Sequence, residues 1–185
     1  MKKFLIVLGV IALIIIVSFV SVYNGIVSKN ETITAKWAQV ENQLQRRNDL
    51  IPNLVTTVKG YASHEKTVFQ DVTNARSQWQ KAASVEEKVK AAGAVDAALA
   101  RLLLVVENYP NLKTDQTFLK LMDELSGTEN RIAVERMRFN EAVRDYNVTV
   151  RMFPGNVIAG MFGYKPVTEY FKVEEKAKAV PEVKF

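Results

Sequence analysis

Between Glu31 and about Gln80, apolar side chains return with a seven-residue period in two interleaved series, which limits the possible folds more than any other feature. One series runs Trp37, Leu44, Ile51, Val58, Glu65, Val72, Trp79; the other runs Ile33, Val40, Arg47, Leu54, Tyr61, Val68, Ala75. Alternating steps of four and three residues put both series on one face of an α-helix. Sustained over this length, the pattern predicts a helix of roughly 75 Å, at about 1.5 Å per residue, packed along other helices. Arg47 and Glu65 stand where apolar residues are expected. Pro52 lies inside the run and has no N–H to give to the helix. Either the spine bends there, or Asp49 caps a new helix with Pro52 in its first turn, leaving two helices that share one stripe.

Upstream, Phe4 to Val22 form nineteen positions without a charge, dominated by Ile, Leu and Val. At about 1.5 Å per residue this spans a hydrocarbon core of roughly 30 Å. A cleaved secretory signal has a shorter apolar run, about 7–15 residues, ending in a small-x-small site. No such site closes this run, so residues 1–23 are expected to be an uncleaved transmembrane signal anchor. Lys2, Lys3 and the terminal amine precede the span, whereas Lys29 and Lys36 follow it, diluted by Glu31. The positive-inside rule then places the short amino terminus in the cytoplasm and the bulk of the chain outside it. Tyr23 suits the water interface, and the stretch to Thr34 has one Gly and no Pro. The membrane helix is therefore expected to run nearly unbroken into the spine.

The rest of the chain continues the helical pattern. Lys81 to Glu87 reads as a connection, with Ser84 and Glu87 at capping-box spacing for a helix running to about Asn108. Tyr109, Pro110 and Asn111 end that helix. Thr114 or Asp115 starts a third long helix that reaches about Arg151. Its heptad series are Phe118, Leu125, Ile132, Phe139, Tyr146 and Met122, Glu129, Arg136, Val143, Val150. Gly127 is a possible break. The expected fold class is all-α, an antiparallel bundle of three to four long helices near 31–80, 85–108 and 114–151, with an N-terminal transmembrane helix. After the stop at Phe153, Pro154 and Gly155, the apolar Val157, Ile158, Met161 and Phe162 should cap the bundle or form a contact patch. Residues 172–185 are expected to be a flexible tail.

Taken in order, several motifs resemble the LemA family. They include Tyr23-Asn24, Arg46-Arg47-x-Asp49-Leu50-Ile51-Pro52-Asn53-Leu54-Val55, Val58-Lys59-Gly60-Tyr61-Ala62, Ala75-Arg76, Glu107-Asn108-Tyr109-Pro110-Asn111-Leu112-Lys113 and Thr128-Glu129-Asn130. Tyr146-Asn147 and Phe153-Pro154 agree as well, and the likeness covers roughly residues 4 to 171. Phe139-Asn140 departs from it, Tyr-Asn being expected. The resemblance implies a bacterial, membrane-anchored antiparallel helical bundle, here residues 24–171. It implies an extracellular amino terminus, opposite to the charge reading, and it carries over no catalytic residue.

Composition removes several chemistries. The chain of 185 residues has no Cys, and its one His is His64, beside Glu65. Disulfides, thiolate metal sites and a lipobox are excluded. A carboxylate-bridged di-iron site needs Glu-x-x-His pairs on two helices and fails on ligand count, since the one His is directly beside Glu65. No metal or cofactor is implied. Without Lys2 and Lys3 the net charge of +5 falls to +3, which points to no nucleic-acid partner.

Four ionic residues at core-type positions remain: Arg47, Glu65, Glu129 and Arg136. A buried charge must find a partner, reach the surface or line a cleft. Pairing between helices is the plainer reading, with at least one contact from Arg47 or Glu65 to the 114–151 helix expected. A ligand-binding or catalytic ionic cleft is the alternative. Asn140 and Asn147, one heptad apart on the last long helix, are candidates for interhelical polar contacts. No catalytic constellation is recognisable. A protein-interaction or scaffold module at the membrane surface is therefore the leading function, with the cell membrane and another protein as partners.

Overall fold

The computed structural model describes residues 2–168 and 170–171, so the expected tail at 172–185 lies outside the described residues. Among the described residues the fold is an all-α bundle of six helices without strands: α1 (Lys2–Tyr61), α2 (Lys66–Lys81), α3 (Val85–Val106), α4 (Pro110–Lys113), α5 (Gln116–Arg151) and α6 (Gly155–Phe162). The first part of α1 is long and apolar enough to cross a membrane and is unburied by the rest of the chain.

The expected spine of 31–80 is not one helix. It stops at Tyr61, turns through Ala62–Glu65 and resumes as α2. The turn inserts four residues, close to one helical turn, so the apolar period passes through it almost unshifted. Val68 is only half-buried, and its neighbour Phe69 takes the inward place. Neither Pro52 nor Gly127 interrupts its helix.

Pro52 survives inside α1 for a specific reason. Its missing N–H strips the carbonyl of Asn48, four residues earlier, of its helical donor. Asn48 is fully buried, where an unpaired carbonyl would be costly. Arg76 of α2 fills the gap by donating from Nε to that carbonyl at 3.1 Å.

The chain divides into two compact units that are not contiguous in sequence. Unit 1 comprises Met1–Ala38 with Met137–Phe185, and unit 2 comprises Gln39–Arg136. α1 and α5 each contribute to both.

Unit 2 packs the inner faces of its helix segments around residues such as Leu44, Val58, Val72, Leu102, Leu112 and Ile132, all 2% exposed or less. α2 and α3 form its hairpin. Ser84 and Glu87 complete the capping box that starts α3, with the Glu87 N–H donating to Ser84 Oγ at 3.1 Å and the Ser84 N–H to Glu87 Oε2 at 3.2 Å. Asp115 caps α5 by accepting the Phe118 N–H at 2.8 Å.

Unit 1 is built on Ile26, Tyr146, Val150, Ile158 and Ala159, with Phe19, Val22 and Tyr23 packed against them. Phe19 and Val22 also belong to the charge-free run, so the end of the candidate span is part of this core. α6 is held close to the end of α5, because Gly155 approaches the Thr149 carbonyl so tightly that a Cβ would lie 2.0 Å from its oxygen. Of the four apolar residues expected to cap the bundle, only Ile158 is buried. Val157, Met161 and Phe162 are each more than half exposed.

Candidate functional site

The densest ionic site lies in unit 2, where α1, α3 and α5 bring Arg47, Asp96, Glu129 and Arg136 together. Arg47 is 1% exposed, on the inward face of α1. Its Nη1 pairs with Asp96 and donates to Glu129 Oε2 at 3.0 Å. Its Nη2 donates to the Ala92 carbonyl at 3.4 Å. Ala92 and Asp96 are one turn apart on α3, and the small Ala lets the guanidinium reach the backbone. Arg136 Nη2 stands 4.0 Å from the second Asp96 oxygen. Two acids and two bases thus neutralise one another across three helices. Glu129 is half exposed, so the cluster reaches the surface on the α5 side.

Burial pushes the Asp96 carboxyl above its ordinary value, and the Glu129 charge adds to the rise, while Arg47 and Arg136 oppose it. Desolvation wins because about two thirds of the Asp96 side chain is out of water.

The structure gathers three of the four predicted ionic residues here. Glu65 is elsewhere, at the start of α2, where its side chain caps nothing. Asp96 takes the fourth place, a residue outside the heptad series. A usable signal existed: it is the sole acidic residue between Glu87 and Glu107, on an Ala-rich helix.

A second polar arrangement lies in unit 1. Among the described residues Asn140 and Asn147 do not bridge to a neighbouring helix. Each clamps the backbone of the non-helical segment after α6, residues 164–168 and 170–171. Asn147 Nδ2 donates to the Val167 carbonyl at 2.7 Å while its Oδ1 accepts the Val167 N–H at 2.8 Å. Asn140 does the same to Phe171, at 2.9 and 3.0 Å. A side-chain amide carries one acceptor and two donors, so it can satisfy both polar groups of one residue, as a β-ladder neighbour does. Asn147 Nδ2 also donates to the Tyr170 hydroxyl at 2.9 Å. The Phe171 ring closes the arrangement, stacked on Trp37 at 6.0 Å and edge-on to Phe139 at 5.7 Å. The clamped segment has no periodicity that would have marked it as a partner.

His64 is exposed on the turn before α2, and among the described residues no group of three His, Cys, Asp or Glu is placed to hold a metal ion.

The LemA family model matches residues 36–185 of the chain. Magnetosome protein MamQ 2 and Magnetosome protein MamQ 1 of Paramagnetospirillum magneticum are each 29% identical to it over 195 residues, covering 89% of this chain and 71% of the relative. Magnetosome protein MamQ of Magnetospirillum gryphiswaldense is 30% identical over 175 residues, covering 80% of this chain and 64% of the relative.

Proposed function

The chain belongs to the LemA family, and from that premise we propose that it is a single-pass, membrane-anchored scaffold that binds another protein at the membrane surface. The observation that carries this reading is the shared core of unit 1. Phe19 and Val22, inside the charge-free run, pack against Ile26, Tyr146, Val150 and Ile158. No flexible linker separates the span from unit 1, so that unit presents its surface at a fixed height above the lipid. The positive-inside bias of Lys2 and Lys3 puts this surface outside the cytoplasm.

The ionic cluster supports the same reading. Its charges are used against each other, which sets the register of α1, α3 and α5 in the way buried ion pairs can. Glu65, which an ionic cleft was expected to include, is not among them.

The test is photo-crosslinking in native membranes, with a benzophenone amino acid at Met137 or Val148, both exposed on unit 1. A discrete adduct of one recurring mass, lost when either position is changed to Lys, is the expected result. Adducts to lipid alone, or a smear independent of position, would contradict it. The chain has no Cys, so an Arg144→Cys variant also reads orientation: an impermeant maleimide should label it on intact cells.

A further inference from the structure

We propose that α6, together with Met152 and Phe153 before it, is a second membrane contact that lies in the lipid interface beside the point where α1 leaves the bilayer. This rests on α1 crossing the membrane.

From Met152 to Tyr164 no residue is charged. Within this run Phe153 is 82% exposed, Met161 67%, Met152 62%, Val157 52% and Phe162 51%. Five large apolar side chains so close together form a patch that a water-facing surface rarely carries. Its position identifies what covers it. The Phe162 ring lies 4.6 Å from Tyr23 and 6.2 Å from Phe19. Phe19 is in the last turn of the apolar Phe4–Val22 span and Tyr23 directly follows it, so α6 sits level with the boundary between acyl chains and headgroups. Eight residues make a helix of about 12 Å, short enough to rest in that layer.

The flanks agree. Arg151 precedes the run and Lys165 follows it, both exposed, where long cationic side chains can reach lipid phosphates from the edge of an apolar insertion. The geometry that presents the patch is built in. Ile158 and Ala159 face the core of unit 1, and the close approach of Gly155 to Thr149 holds the helix there. At the other end Gly163, with φ 77°, turns the chain away directly after Phe162.

The test uses the full chain in nanodiscs of phosphatidylcholine with phosphatidylglycerol. Nitroxides are placed singly by Met161→Cys, Phe153→Cys, Leu13→Cys and Arg144→Cys. Collision with oxygen and with a water-soluble nickel chelate then reports depth. Labels at Met161 and Phe153 should report a depth between those at Leu13 and Arg144, with nickel collisions reduced several-fold relative to Arg144. A lipid-like Leu13 label with water-like labels at Met161 and Phe153 would overturn the proposal and leave the anchor intact. Labels at Met161 and Phe153 shielded from both probes would show a protein on the patch and also overturn it. A water-like label at Leu13 would remove the anchor and this contact together.

Discussion

Pro52 and Arg76 make a thermodynamic pair although they lie on different helices. The Asn48 carbonyl is buried, has no helical donor because residue 52 is Pro, and receives Arg76 Nε at 3.1 Å. Arg76→Met keeps much of the apolar stem and removes the donor. A hydrogen bond from a charged group contributes about 1.5–3 kcal/mol, and an unpaired buried acceptor costs a similar amount. Arg76→Met should therefore destabilise unit 2 by about 2 kcal/mol. In a Pro52→Ala background the residue 52 N–H returns to the Asn48 carbonyl, and the same change should cost about 0.5 kcal/mol. The coupling is then about 1.5 kcal/mol, within the range of contacting residues. Denaturant unfolding of the full chain in micelles, followed by Trp79 fluorescence, reads it. The chain has two Trp, so a Trp37→Phe background isolates the signal of unit 2. Equal cost of Arg76→Met in both backgrounds, within about 0.4 kcal/mol, would refute the compensation.

Three further outcomes are expected. Asp96→Ala leaves the buried Arg47 with Glu129 and the Ala92 carbonyl and should cost about 2–4 kcal/mol, the figure for a broken buried pair lowered because Asp96 is one third exposed; a cost below about 0.5 kcal/mol in the same unfolding assay would mean Arg47 is hydrated. Because the folded Asp96 carboxyl is raised, its stabilising share is complete below the unfolded value of about 3.9 and is lost as pH rises through the folded one. Unfolding titrations should accordingly show Asp96→Asn gaining on the native chain as pH rises above about 4, and a loss there would reverse the assigned direction. Asn147→Ala removes both bonds to Val167 and should loosen the segment after α6, read as faster amide exchange at Val167; unchanged exchange would show that the Asn140 clamp and the Phe171 ring hold it without Asn147.

The helical class, the capping box at Ser84 and the inward series of α5 could be read from the chain because each is local or periodic. Phe118, Leu125, Ile132, Phe139 and Tyr146 are all buried, as their spacing requires. The turn at Ala62–Glu65 is hidden because its four residues are close to one helical turn, so the apolar period counts through it. Arg47 was conspicuous as a charge on an apolar stripe. Asp96 carries a weaker mark, as the sole acid between Glu87 and Glu107, because it interrupts no apolar series on its Ala-rich helix. Arg76 lies 28 residues from Asn48, and nothing local ties a guanidinium to a carbonyl that a distant Pro has freed. The Asn140 and Asn147 side chains stood out mid-helix, yet their partner is an extended segment with no helical period. The division into two units was equally hidden, since both α1 and α5 contribute to each.

The central claim is that unit 1 is seated on the membrane without a tether. Lys29 donates to the Asp145 carbonyl at 3.3 Å, which sets the neighbouring Arg144 near the height of Lys29. Lys29 is seven residues past Val22, the last residue of the expected membrane-spanning stretch Phe4–Val22. At about 1.5 Å per residue, that height is roughly 10 Å above the hydrocarbon edge. Time-resolved energy transfer from a donor at Arg144→Cys to headgroup-labelled lipid in nanodiscs measures it directly. One narrow distribution of closest approach near that height, unchanged by salt, is predicted. A broad distribution extending well beyond it, as a flexible linker gives, would contradict the account.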